Sequence, residues 1–202
     1  MPPRRRLSPD QRRAELLDVG TRMFAERPYD EVQMDEIAER AGISRALLYR
    51  HFPSKRALFA AIYQRAADDL VAEVELAPGT PLPEQVAAGL EAHFDYFAAN
   101  RNTVLAANRA LAGDPTIQAI ISGELASLRL RMLDTAGLTG ESREVTAAIL
   151  MAWLRFVHSL SLDWLEHETP TREQLRNTCI GALSGALSAV QGARTYQHGR
   201  SP

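Results

Sequence analysis

The residues best equipped for chemistry lie in one short stretch, Ser44-Arg45-Ala46-Leu47-Leu48-Tyr49-Arg50-His51-Phe52. Wound at about 100° per residue, this stretch sets Leu48 and Phe52 on one side of a helix and Ala46 and Arg50 on the other, with Leu47 and Tyr49 flanking them. Arg45 stands at the exposed N-terminal end, behind Ser44 as N-cap. A bare alanine permits close approach to a surface, a guanidinium matches the O6 and N7 acceptors of guanine, and an exposed leucine suits a thymine methyl. Together these are what reading a DNA major groove requires. Tyr49, His51 and Lys55 add a hydroxyl, an imidazole and an ammonium suited to phosphates, and the start of a helix at Ser54 adds backbone N–H groups. Taken alone, the stretch reads at least as readily as an amphipathic helix with a solvated charged face.

Other chemistries find less support. His93, His158 and His167 make no pair with metal-ligand spacing on one helix, and Cys179 is the single cysteine, so neither a metal site nor a disulfide framework is expected. No glycine-rich phosphate loop, G-x-S-x-G elbow or H-E-x-x-H motif occurs. The expectation is no cofactor and no catalytic residue.

The elements that must position these residues are helical, because no segment alternates with period two between hairpin turns. Ser8, Pro9 and Gln11 form a capping box ahead of Leu16, Leu17, Met23 and Phe24, and that helix should end near Glu26 because Arg27 precedes Pro28. Met34, Ile37, Ala38 and Ala41 make one buried stripe on a short helix that stops at Gly42. The helix from Ser44 follows at once and must stop at Phe52, before Pro53, so the pair is a helix-turn-helix candidate. A longer helix from Ser54 carries Leu58, Ile62, Ala66, Leu70 and Val74, ending at the breaker Ala77-Pro78-Gly79-Thr80-Pro81. Beyond it, helices are predicted at roughly 83–99, 102–112, 115–136, 142–167 and 172–191, with starts marked by Asp114-Pro115 and Thr171-x-x-Gln174.

The 202 residues, 46% hydrophobic and 24% charged, suffice for one or two globular domains with a real core. No uninterrupted apolar run approaches the ~18 to 20 residues of a membrane span, and the basic start Met1–Arg6 leads into no apolar signal core, so a cytoplasmic protein without a membrane partner is expected. The net charge of −2 hides an asymmetry: residues 1–60 hold 12 basic and 9 acidic residues, a net +3, which leaves −5 for the remainder. The N-terminal part is therefore the face for an anionic partner. Only one of the 23 basic residues is a lysine, Lys55, a bias that reflects composition more than function.

The stretch Val32–Phe59, with its IA-x-x-AG turn, LY-x-HF helix and SK-x-x-L-F helix start, resembles the DNA-binding signature of the tetracycline-repressor (TetR) family of transcriptional regulators. The likeness is specific over about residues 8–60 and rests on helix number and order beyond. It implies an all-α fold of about nine helices, with a three-helix DNA-binding domain at 1–53 and a helical ligand-binding and dimerisation domain at 54–202. Carried over residue by residue, it assigns base reading to Arg45, Ala46, Leu47 and Arg50 and phosphate contact to Tyr49, His51 and Lys55. Ser44 and the helix start at Gln33 and Met34 complete the DNA-contact set. Members often have Ser or Thr where this chain has Gln33, a poorer cap.

The same resemblance implies a homodimer on a double-stranded, palindromic operator, released by a mostly apolar small-molecule effector. Phe94, Phe97, Asn108, Leu111, Arg129, Met132, Trp153 and Phe156 lie on the helices that line the pocket in similar regulators, although each also reads as core packing. The helix at 142–167 is apolar almost all round and must be covered on more than one side. The last helix repeats small residues at Gly181, Ala182, Gly185, Ala186 and Ala189, and these two helices are the expected dimer interface. Arg4-Arg5-Arg6 reads either as an arm for an adjacent minor groove or as a solubilising end. The leading expectation is a repressor. An activator or ligand-independent regulator is the alternative within the class, and a helical small-molecule-binding protein or enzyme is the alternative outside it.

Overall fold

The computed structural model describes residues 8–73, 82–137 and 139–198; Arg4-Arg5-Arg6, Val74 and the breaker at 77–81 lie outside these. Nine α-helices and no strand occur among the described residues: α1 (Pro9–Glu26), α2 (Met34–Arg40), α3 (Arg45–His51), α4 (Lys55–Glu73), α5 (Leu82–Ala99), α6 (Arg101–Leu105), α7 (Pro115–Thr135), α8 (Gly140–His167) and α9 (Arg172–His198). A 3-10 turn, Tyr29–Glu31, separates α1 from α2, and α6 runs on into a π-helical turn, Ala106–Ala110. Helix starts follow the capping chemistry read from the sequence. Ser8 and Gln11 exchange both bonds of a capping box, Thr171 and Gln174 do the same before α9, and Asp114 Oδ1 accepts from the Thr116 and Ile117 amides at the head of α7.

The helices form two compact units, one comprising residues to Asp69 with Ala99–Ile120, the other Leu70–Ala98 with Ile121 onward. This differs from a single division between residues 53 and 54. Phe59 packs edge-on against Phe24 and Tyr29, at 5.1 and 5.3 Å between ring centroids, and stacks with Tyr63 at 6.1 Å. The first three helices therefore complete their core with α4. The Asn102 amide donates to the Ala25 carbonyl at 2.9 Å, which ties α6 to α1. Gly20 allows α1 and α4 to meet closely: a Cβ there would stand 2.6 Å from Ile62 Cδ1.

In the second unit α8 buries Leu150, Trp153, Leu154, Val157, Ser161, Leu162 and Leu165, a stripe of helical period. The Trp153 indole N–H donates to the Cys179 carbonyl of α9 at 2.8 Å. Arg172 of α9 pairs with Glu91 and Asp95 of α5, each at 2.6 Å. By length and composition α8 could cross a membrane, but this stripe is spent against the protein's own helices. On the opposite side Phe156 stands 40% exposed among the described residues.

Candidate nucleic-acid interface and ligand cleft

The helix-turn-helix is built by local rules. Gly42 takes a left-handed conformation, φ 64°, which lets its amide reach the Glu39 carbonyl at 2.9 Å while the Ile43 amide reaches Ala38 at 3.0 Å. These two bonds satisfy the last carbonyls of α2 and redirect the chain. Ser44 then caps α3, its hydroxyl accepting from the Leu47 amide at 3.3 Å. Leu48 and Phe52, 0% and 1% exposed, fix the rotation of α3. Ala46 and Arg50 are left exposed, Leu47 partly exposed and Tyr49 38% exposed, as their spacing predicts. At the other end of α2, Arg27 bonds Glu36 at 2.6 Å, and this guanidinium holds the Glu36 carboxyl below its ordinary range.

The two arginines of α3 differ in circumstance. Arg45 Nε lies 2.8 Å from the Asp35 carboxylate, and its guanidinium sits 5.8 Å from the Tyr49 ring. Both partners of that pair are exposed, so the pair costs little to break. No hydrogen bond or ion pair engages Arg50 among the described residues, and its guanidinium stands exposed.

Three other candidates take different roles. The Met34 side chain is 6% exposed and belongs to the core under α2, so only its backbone at the first turn faces outward; the buried stripe it begins explains why. Gln33 is exposed and makes no side-chain capping bond. Lys55 is turned inward: its ammonium donates to the carbonyls of Tyr29 at 2.9 Å and Val32 at 3.0 Å, lies 3.5 Å from that of Asp30, and sits 4.4 Å from the Tyr29 ring centre. Its donors close the 3-10 turn that leads into α2, so the ammonium is committed to backbone carbonyls within the chain. Lys55→Met should therefore lower stability by about 1 to 3 kcal/mol, roughly 2 to 10 °C in melting temperature. It should change the salt slope of DNA binding by less than about one unit. An unchanged melting temperature with a slope lowered by about one would restore the phosphate contact.

Residues 16–62, spanning α1 to α4, match the family described as bacterial regulatory proteins, tetR family. The HTH-type transcriptional regulator EthR of Mycolicibacterium smegmatis is 31% identical over 147 residues, 71% of this chain and 66% of that protein. The chain belongs to the TetR family. The HTH-type transcriptional activator FasR of the same organism is 43% identical over 93 residues, 45% of this chain and 42% of FasR. The matched part thus spans between two-fifths and two-thirds of these TetR relatives. A crystal structure of a tetR-family transcriptional regulator from Streptomyces coelicolor superposes with a TM-score of 0.81 at 27% identity, covering 96% of this chain and 87% of that one. The all-α fold read from the sequence is thus a TetR fold over nearly the whole chain.

The second unit contains a cleft of about 810 Å³ including its open mouth. Leu70 at the end of α4, Val86 and Leu90 of α5, Leu125 and Leu128 of α7 and Trp153 of α8 supply much of its wall. Of the eight residues expected to hold a ligand, Met132 and Trp153 line it. The others do not. Phe94 and Phe97 are 0% and 2% exposed, their rings packed edge-on and tilted against His93 at 5.9 and 4.0 Å. Asn108 and Leu111 belong to the first unit, where the Asn108 amide donates to the Val104 carbonyl. Arg129 lies off the lining and Phe156 points to the outside of α8.

The cleft brings in groups that the sequence analysis did not assign to a ligand: His93, Glu124, Arg131 and His158. Burial lowers His93 to about 3, with the neighbouring His158 adding to the effect, and lowers His158 to about 4. Both are neutral at pH 7. The Ser161 hydroxyl donates to the Val157 carbonyl at 2.8 Å, so the His93–Ser161 contact at 3.2 Å assigns the His93 proton to Nε2. Among the described residues no group of three or more His, Cys, Asp or Glu side chains could hold a metal ion.

Proposed function

We propose that the chain is a homodimeric, sequence-specific DNA-binding transcriptional regulator, most simply a repressor that leaves its operator when a small molecule enters the cleft of the second unit. The observation that carries this reading is α3: Leu48 and Phe52 lock its orientation while Ala46 and Arg50 stand exposed on the opposite side. A groove reader of this size needs a second half-site and hence a second copy. Two surfaces support that. Ala148, Ala152 and Phe156 stand exposed along the outside of α8, and Gly181 and Gly185 of α9 have no atom within 4 Å of the position a Cβ would take, so a partner helix can approach closely.

The effector reading rests on where the cleft lies. Leu70 of α4 and Leu125 and Leu128 of α7 line it, and both helices have their first turns in the unit that carries α3. A ligand that shifts them changes the spacing of recognition helices, which must stay near 34 to 36 Å or a multiple of it. Operator and effector must then weaken each other's affinity by the same factor.

The test is selection of genomic fragments by the protein at stated salt against competitor DNA. Enrichment of a palindrome with half-sites about one helical turn apart is the expected result. No enrichment over competitor would overturn the reading in favour of a helical small-molecule-binding protein. Activation is the second reading, favoured by the name of FasR, whose 93 matched residues are 43% identical. A fragment whose neighbouring gene falls silent on deletion of the regulator would decide for it.

A further inference from the structure

The wall of the cleft is apolar apart from a few groups, and these are unequal in what they leave unsatisfied. His93 is held by Ser161 and by the Phe94 and Phe97 rings. His158 sits edge-on to Phe97 at 5.7 Å. The Arg131 guanidinium donates to the Val71 carbonyl at the end of α4, so its charge is directed at backbone. Glu124 of α7 differs: no hydrogen bond or ion pair engages its carboxyl among the described residues, although it lines the same cavity. An uncompensated carboxylate facing an apolar space loses hydration and gains nothing in return.

We propose that the cleft selects a small apolar molecule carrying one protonated amine, with Glu124 as its counter-ion. This deepens the effector reading above and rests on it. An ammonium supplies the partner that the Glu124 carboxyl lacks, and an alkyl or aryl body covers Leu70, Val86, Leu90 and Trp153. A carboxylate ligand meets a like charge at Glu124, and a neutral one leaves that carboxyl desolvated. Burial raises Glu124 to about 7, so in the empty cleft at neutral pH the group is about half protonated. An arriving ammonium favours the ionised form, and binding releases a proton. The other titratable or charged groups facing the cleft are His93 from α5, Arg131 from α7 and His158 from α8. Burial keeps the two histidines neutral down to pH 5, so Glu124 governs the pH dependence above that value.

The test is binding of octylamine, octanol and octanoate to the full chain, followed by calorimetry and by the fluorescence of Trp153. Octylamine should bind at least tenfold tighter than octanol at pH 7.5. Lowering the pH to 5.5 should weaken the amine roughly 10- to 30-fold and the alcohol little. In Glu124→Gln the amine preference should fall below about twofold and its pH dependence should vanish. Equal binding of amine and alcohol, tighter binding of octanoate, or an amine preference that survives Glu124→Gln overturns the amine assignment while leaving the effector cleft standing. Failure of all three probes to bind overturns both.

Discussion

Lowering the pH from 7 to 4 should cost the chain about 3 kcal/mol of folding stability, and the loss should come from the second unit. His93 at about 3 and His158 at about 4 lie below their ordinary value of 6.5. Folded, they bind fewer protons than unfolded. Their contribution is complete above about pH 6.5 and is lost as the pH falls toward 4 and 3. At roughly 1.4 kcal/mol per pKa unit, each gives up on the order of 3 kcal/mol by pH 4. Glu124 runs the other way: its folded value of about 7 lies above the ordinary 4.5, so its penalty is full above pH 7 and relieved as the pH falls toward 4.5. That returns about 3 kcal/mol, leaving a net loss of about one histidine's worth. Urea unfolding at pH 7, 5.5 and 4 measures it. Glu124→Gln should be more stable than the parent at pH 7 and should lose more on acidification, because the compensating slope is gone. A profile flat between pH 7 and 4 in both proteins would mean that water reaches the histidines and that the cleft is wetter than its walls suggest.

How much of this was legible in the sequence depends on how local each feature is. The α2–turn–α3 segment was readable almost residue by residue, since Gly42, Ser44 and the Leu48/Phe52 pair act over four residues or fewer. The inward turn of Lys55 was not. Its acceptors lie 23 to 26 residues earlier, and only the folded turn brings three carbonyls to one point. The cleft was hard to read for a different reason. Helix α7 carries apolar residues on several sides, so its rotation cannot be taken from the pattern, and Arg129 and Arg131, two residues apart, face roughly 200° away from each other. Aromatic residues drew attention there, yet Phe94 and Phe97 were consumed by packing around His93. The group left over was a glutamate that looked like any solvated charge.

Arg50→Ala should produce the largest loss of DNA discrimination of any single substitution in α3. Removing a bidentate guanine contact costs about 1 to 3 kcal/mol and relaxes preference at that position. In a symmetric dimer each half-site loses it, so the whole complex should weaken by roughly 2 to 6 kcal/mol, about 30-fold to about 20,000-fold. The fold should not change, because Arg50 is exposed while Leu48 and Phe52 hold the helix. Arg45→Ala should cost less: its guanidinium already shares Asp35, and removing it also frees a carboxylate whose charge opposes the phosphate backbone. Arg50→Lys separates charge from geometry, since lysine restores a cation but not the planar fork. It should recover the salt slope of binding while leaving discrimination between operator and scrambled DNA close to that of the alanine variant. Titrations of both sequences at two salt concentrations give the two quantities separately. If Arg50→Ala keeps the full ratio between operator and scrambled DNA, base reading belongs to Arg45 and Leu47, and the exposed side of α3 serves the backbone alone.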